Sequence, residues 1–308
     1  MEQAITRPKK YAFVDIESCN MCGNPTAKNK TMGIRLNRSQ GFHPKSKTGI
    51  AVSVKKCSNC SLIYADPMPI PEDIQDHYGI PPEEYWNTMN FDWNEHYFSN
   101  EINKLQQLMS FRSGMKALDI GAGLGRTMIS LEKAGFETFG IEPSLPFYQR
   151  AIEKMKINPV RLQQGSIENS VYEPDSFDLI SFGAVLEHLY NPSKSIELAL
   201  GWLKPGGIIH IEVPSSNHFP TRLINLFYKL KGTNYVSNLS PMHTPFHLYE
   251  FSLKSFEKIS ARLNYSIADS KIEVCEILNF PRFTHPLLKK WMSWTNSGLQ
   301  LVVYLKKL

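Results

Sequence analysis

No stretch of this chain is apolar for long enough to cross a bilayer, which takes about 20 residues, so no membrane span is predicted. The early positive residues Arg7, Lys9 and Lys10 are not followed by the apolar segment of a secretory signal, and a cytoplasmic protein is the expectation. Cysteine is scarce. Five in 308 residues are too few for a disulfide-stapled scaffold, and without a secretion signal structural disulfides are not expected. The chain also lacks internal repeats and low-complexity tracts, which excludes solenoid architectures. Neither charge sign dominates, with 34 Lys+Arg against 29 Asp+Glu. With 42% apolar and 20% charged residues, the composition is that of an ordinary globular chain, long enough for one large domain and a small one.

Four of the five cysteines fall into two Cys-x-x-Cys pairs, Cys19 with Cys22 and Cys57 with Cys60. Each pair can present two thiolates around one tight turn, and two such turns close a tetrahedral S₄ site that suits a structural Zn²⁺. A redox pair would need a surrounding βαβ pattern, which is absent. Residues 1–66 therefore read as a zinc-ribbon β module, with residues 61–65 a strand leaving the second pair and residues 28–47 an exposed excursion. Cys275, between Ile272, Val274 and Ile277, reads as core. The module is basic, holding 11 Lys+Arg and 4 Asp+Glu of the whole chain's 34 and 29. Such a surface suits RNA, or a phosphorylated or nucleotide-linked substrate. No aromatic base-stacking pattern accompanies the charge, so nucleic acid is the less favoured partner.

Residues 67–100 form a connector, broken by Pro67, Pro69, Pro71, Pro81 and Pro82 and rich in aromatics: Tyr85, Trp86, Phe91, Trp93, Tyr97 and Phe98. These rings either cover the cofactor edge of the following unit or fill interdomain core. Apolar spacing at Ile102, Leu105, Leu108 and Met109 then predicts an amphipathic helix, opening a third unit over residues 101–308.

Within that unit an apolar run enters Asp119 and is followed by Gly121, Gly123 and Gly125, before a helix-like stretch. Glycines so spaced let the backbone turn sharply and approach a ligand. A second strand ends in Glu142, about twenty residues on, at the place where an acid accepts hydrogen bonds from a ribose. The D-x-G-x-G-x-G pattern puts an acid inside the loop, which disfavours a pyrophosphate and suits the sulfonium and amino group of S-adenosylmethionine. Strands near 116–120, 138–142, 159–163, 178–183, 207–213, 272–277 and 299–304 alternate with helices. They predict an α/β fold, a Rossmann-like seven-stranded and mostly parallel sheet with helices on both faces.

Residues 111 to about 275 resemble a class I S-adenosylmethionine-dependent methyltransferase. The resemblance is carried by LDIGAGLGR at 118–126, FGIEPS at 139–144, SFDLISFGAVLEHLYNPSKSIE at 176–197, LKPGGIIHIEVPS at 203–215 and HLYEFSLKSFEKI at 247–259. It implies that Asp119, Gly121, Gly123 and Gly125 hold the methionine half of the cofactor and Glu142 its ribose. Ser166 stands where the family often has an adenine-contacting acid, with Ile167 packing beside it, and Gly183 ends the fourth strand near the methyl donor. Asp178 reads equally as a turn residue or a functional one.

Glu187 and His188 follow at the expected acceptor entrance. His188 leads as general base because imidazole titrates near neutrality, with His243 and His247 as secondary candidates in a histidine-rich segment over residues 215–250. Spacing at Leu223, Leu226, Phe227 and Leu230 suggests a lid helix there. Sugar C-methyltransferases with a ribbon carry a further C-terminal α/β domain without a counterpart here. The expectation is therefore methyl transfer to an oxygen of a glycan, lipid-linked or small-molecule acceptor. An RNA methyltransferase and a non-catalytic binding module are the competing readings; Phe182-Gly183-Ala184-Val185 in place of an Asp/Asn-Pro-Pro-aromatic run disfavours base amino groups as targets, but not ribose or carbon.

Overall fold

The structure is a computed structural model, and it describes residues 10–36, 51–85, 90–275, 277 and 280–308. Residues 37–47 of the expected excursion, and Trp86 of the aromatic group, lie outside the described residues. In chain order the strands are β1 (Tyr11–Val14), β2 (Lys30–Leu36), β3 (Ala51–Lys56), β4 (Ile63–Asp66), β5 (Met68–Pro71), β6 (Lys116–Ile120) and β7 (Glu137–Glu142). They continue with β8 (Leu162–Gln164), β9 (Phe177–Gly183), β10 (Leu203–Pro214), β11 (Tyr249–Glu250), β12 (Tyr265–Glu273) and β13 (Gln300–Lys307). The helices are α1 (Gln75–Tyr78), α2 (Pro82–Tyr85), α3 (Ser99–Leu108), α4 (Arg126–Lys133), α5 (Leu145–Glu153), α6 (Pro192–Trp202), α7 (Phe219–Leu230), α8 (Leu253–Leu263) and α9 (His285–Thr295).

The large sheet runs β12-β13-β10-β9-β6-β7-β8. From β10 to β8 all pairs are parallel, and β13 is antiparallel to both neighbours. The sheet thus has the seven strands and mostly parallel pairing that the alternating pattern predicts. Its central strands are continuous apolar runs because helices cover both faces: six of the seven residues of β9 are buried. Ser144 caps α5 by accepting from the Phe147 N–H at 3.4 Å, and Asn191 caps α6 by accepting from the Lys194 N–H at 3.1 Å. Asp178, at the start of β9, accepts from the Lys116 N–H at 2.9 Å and from Lys204 Nζ at 2.7 Å, a structural tie at the sheet's amino-terminal edge.

Two strand positions differ from expectation. The third is Leu162–Gln164 rather than 159–163, and the sixth is Tyr265–Glu273 rather than 272–277. The sixth strand begins where Asn264, in the left-handed conformation at φ 56°, ends α8. As an edge strand with one neighbour it tolerates polar residues, so its apolar pattern is weak, and pairing with β13 sets its register. Cys275 consequently falls past the strand; it is half-buried, 3.4 Å from Gln300 Oε1, and not a core residue.

The amino-terminal region is more ordered than expected. Residues 30–36, taken as exposed excursion, form β2, which pairs with β3; β4 pairs on the other side of β3. The charge of Arg35 disguises the strand, but its side chain is buried, with Nε donating to the Leu239 carbonyl at 2.9 Å. The proline connector likewise contributes β5, antiparallel to β1. The amino-terminal region and the large sheet share one core. Met21, Leu62 and Tyr64 belong to the same buried cluster as Leu118, Ile180 and Phe251, and β11, far later in the chain, extends the amino-terminal sheet beside β4.

Gly140 in β7 shows how closely helix and sheet approach. A Cβ there would lie 2.6 Å from Met128 Sδ and 2.8 Å from Leu162 Cδ1. Gly140→Ala is expected to destabilise the chain by about 1–3 kcal/mol through overpacking, read as a lower urea midpoint at unchanged m-value.

Candidate active site

The carboxyl ends of the parallel strands surround a cavity of about 680 Å³, where ligands bind in sheets of this kind. Its floor is the glycine loop after β6. Gly121, Gly123 and Gly125 all have positive φ (69°, 57° and 76°), which only glycine adopts without strain. Their neighbours divide their roles. A Cβ on Gly121 would lie 2.5 Å from Val185 Cγ2. One on Gly125 would lie 2.6 Å from Ile157 Cγ1. Gly123 has no such neighbour closer than 3.8 Å and faces the cavity. Gly125 does not line the cavity; it caps the start of α4 and lies against Ile157.

Glu142, at the end of β7, accepts from the Gly123 N–H at 2.6 Å and from the Ser144 N–H at 2.7 Å. Burial pushes its carboxyl up to about 7, opposed by those two hydrogen bonds. Burial likewise raises Asp119 to about 7, although Ser181 and Thr127 hydrogen-bond to it. Ser166, Ile167 and Gly183 also line the cavity, at the positions where strands three and four end.

The opposite wall comes from two loops. His188 lies on the 3₁₀ turn Leu186–His188, and His247 on the segment before β11. Their rings meet edge-on at 5.0 Å, and Tyr78 packs edge-on to His188 at 5.8 Å. His188 Nδ1 lies 3.3 Å from the Phe246 carbonyl, and the Ala184 carbonyl is a second acceptor beside the ring. Burial lowers this imidazole to about 4, so it is neutral at pH 7.

Glu187 does not line the cavity. It is buried behind His247, with Oε1 3.8 Å from His247 Nε2, and its Oε2 has no hydrogen-bond partner among the described residues. Burial pushes Glu187 up to about 8 and holds His247 far below its ordinary value, so the neutral forms of the pair are favoured. His243 also stays outside. Its Nε2 is 3.1 Å from the Arg35 guanidinium, in contact with the ribbon sheet.

Several polar cavity residues escaped the sequence reading, Tyr78, Arg126 and Glu212 among them. Tyr78 sits on the four-residue helix α1, too short to have a period, and Arg126 follows the glycine loop. Glu212 lies in the conspicuous segment IEVP at the end of β10, and a carboxylate at the carboxyl end of a parallel strand was a usable signal. Despite burial, Glu212 is held below its ordinary range by His210, Lys271 and Gln300, and so remains an anion. Of the aromatic connector, Tyr97 and Phe98 reach the cavity, whereas Trp93 packs outward on α4, its Nε1 donating to Ser130 at 2.8 Å.

The four ribbon cysteines form a second cluster, with all sulfurs within 4.8 Å of one another. Cys19 and Cys60 sulfurs are 3.6 Å apart, as are those of Cys22 and Cys57. A tetrahedral ion with metal–sulfur bonds of about 2.3 Å separates its ligands by about 3.8 Å, so the donor set fits such an ion.

A glycine loop after the first parallel strand, a buried acid after the second and a 3-2-1-4-5-7-6 sheet define a doubly wound methyltransferase architecture. Residues 93–269, more than half the chain, match the family described as Methyltransferase domain, and the chain belongs to that family. It is 30% identical over 169 residues to the polyketide synthase component of lovastatin nonaketide synthase from Aspergillus terreus, covering 51% of this chain and 5% of that protein. It is 26% identical over 146 residues to the ubiquinone biosynthesis O-methyltransferase of Proteus mirabilis, covering 46% of this chain and 58% of that protein. The chain thus spans less than two thirds of either relative. Among solved structures, an S-adenosylmethionine-dependent methyltransferase from Methanosarcina mazei is 15% identical with a TM-score of 0.49, covering 67% of this chain and 97% of that one.

The raised carboxyl of Glu142 sets a pH dependence. The folded chain keeps a proton there that the unfolded chain gives up near its ordinary value of 4.5, so this group's contribution to stability falls as pH rises from about 4.5 to about 7. Glu142→Gln is expected to gain on the wild type by roughly 2 kcal/mol across that window, measured by urea unfolding of ligand-free protein at several pH values.

Proposed function

We propose that this chain transfers a methyl group from S-adenosylmethionine to an oxygen of a small-molecule acceptor. The observation that carries the proposal is one cavity with two chemically distinct walls. On one side stand Asp119, the Gly123 backbone and Glu142; on the other stand two neutral, cavity-facing imidazoles. When bound, S-adenosylmethionine supplies a methyl group on a positively charged sulfur. Asp119 and Glu212 offer carboxylates toward such a cation, and Glu142 accepts from ribose hydroxyls while Gly123 and Ser144 hold it in place. Ser166 and Ile167 flank the adenine position. His188 receives the acceptor's hydroxyl proton on its neutral ring. Glu187 and His247 form the adjoining pair that orders the loop, and Glu187 acts through His247 rather than on the acceptor.

The relatives support the acceptor class, one being an O-methyltransferase of ubiquinone biosynthesis and the other a polyketide synthase component. A glycan or lipid-linked acceptor belongs to the same oxygen chemistry. In the ribbon, Cys19, Cys22, Cys57 and Cys60 hold a structural Zn²⁺. The Cys60 carbonyl accepts from Ser252 Oγ at 2.8 Å and Ser255 Oγ at 3.0 Å, which ties the metal knuckle to α8 of the catalytic unit.

Calorimetric titration with S-adenosylmethionine tests the cofactor first. Micromolar binding, abolished by Gly123→Arg in protein that melts normally, is expected; no binding by folded wild type would overturn the proposal. Against a panel of hydroxyl-bearing acceptors, His188→Ala should lower kcat by about 10²-fold or more at unchanged cofactor affinity, with His243→Ala near wild type. A His188→Ala enzyme with full kcat would remove the base.

For the ribbon, about one zinc per chain is expected by metal analysis. Cys57→Ser should lower the melting transition of the whole chain as a single step, because ribbon and catalytic unit share a core.

A further inference from the structure

Helix α9 is held to the protein by little of its own surface: of its eleven residues, only Met292 is buried. Its outward stripe is nonetheless apolar. Leu287, Trp291 and Trp294, with Phe283 on the 3₁₀ turn just before the helix, are 74%, 44%, 76% and 85% exposed. Helix α7 touches α9 through the Phe219 and Trp291 rings, 5.9 Å apart, and exposes Leu226 and Leu230 at 52% and 78%. Soluble surfaces rarely leave so many large apolar side chains together in water.

The charge around them has one sign. Residues 219–231 contain Arg222, Lys229 and Lys231, and residues 282–295 contain Arg282, Lys289 and Lys290; neither stretch has an Asp or Glu. All six cations are exposed, and none has an ion-pair partner among the described residues. Elsewhere the acids and bases of the catalytic unit pair closely, as Lys204 does with Asp178 at 2.7 Å. We infer that the outer face of α9 docks on an anionic lipid surface. Exposed indoles and leucines beside unpaired lysines are the composition that lies in a headgroup layer, rings at the boundary and cations at the phosphates. A second copy of the chain fits less well, because a two-fold contact would set this cationic face against itself. The location suits delivery of an amphiphilic acceptor, since α7 begins a few residues after Glu212 of the cavity. That last link rests on the proposed methyl transfer; the docking itself does not.

Flotation of the full chain with phosphatidylglycerol–phosphatidylcholine vesicles, beside pure phosphatidylcholine vesicles, is the test. Binding to the anionic vesicles that weakens with added salt is expected. Lys289→Gln with Lys290→Gln should weaken it by about 25-fold, at about fivefold per cation, and Trp294→Ala should weaken it separately. All of these side chains are exposed, so melting temperature and S-adenosylmethionine affinity should match wild type in both variants. Loss of cofactor binding in the wild type would strike the proposed reaction and leave the vesicle result standing. No flotation, equal flotation of the variants, equal binding to neutral vesicles, or a wild-type dimer that Trp294→Ala dissociates would each overturn the inference.

Discussion

Glu142 accepts two backbone N–H groups, from Gly123 and from Ser144, and the glycine-loop side of the cavity depends on that pair of bonds. One anchors the glycine loop after β6, the other anchors the start of α5. A single side chain therefore sets the spacing of two elements that a ligand must bridge. The cost is a carboxyl buried with no cation beside it, which is why its pKa is pushed up to about 7. A ligand bringing hydroxyl donors to the same oxygens would relieve that cost, so the tension in the free protein belongs with binding.

The same logic extends across the cavity. Asp119, Glu187 and Glu250 are also buried carboxyls raised by desolvation. Glu250 is satisfied, by Asn238 Nδ2 at 2.6 Å and the Leu239 N–H at 2.9 Å, and it pins the loop that carries His243 and His247 to β11. Glu187 is satisfied only in part and faces His247. The ribbon adds mechanical support. Asn20 Nδ2 donates to the Tyr190 carbonyl at 2.9 Å, and Tyr249 Oη donates to the same carbonyl at 2.9 Å. The segment bearing Cys19 and Cys22 thus reaches the cavity-lining residue Tyr190 directly.

Much of this was legible in the chain because it rests on local rules. Positive-φ glycines after an apolar strand, acids at strand ends and paired Cys-x-x-Cys turns are short-range patterns. Central parallel strands announce themselves by continuous burial. The elements that were misplaced lack such rules. β2 was hidden by Arg35, whose charge is covered only by a loop some two hundred residues later. β12 is an edge strand with a mixed pattern, and β5 draws its partner from the first residues of the described chain.

By itself the sequence determined the class of fold, the glycine loop with its two acids, and the four thiolates as one set. Each follows from spacing along the backbone, where a few residues decide the geometry. Only the tertiary structure decided which histidines meet. His188 and His247 lie far apart in the chain yet stack edge-on at 5.0 Å, while His243, four residues before His247, turns away to Arg35. Loop residues so close in sequence reach different surfaces because their directions are set by what packs over them, and that packing comes from β2, β11 and the ribbon.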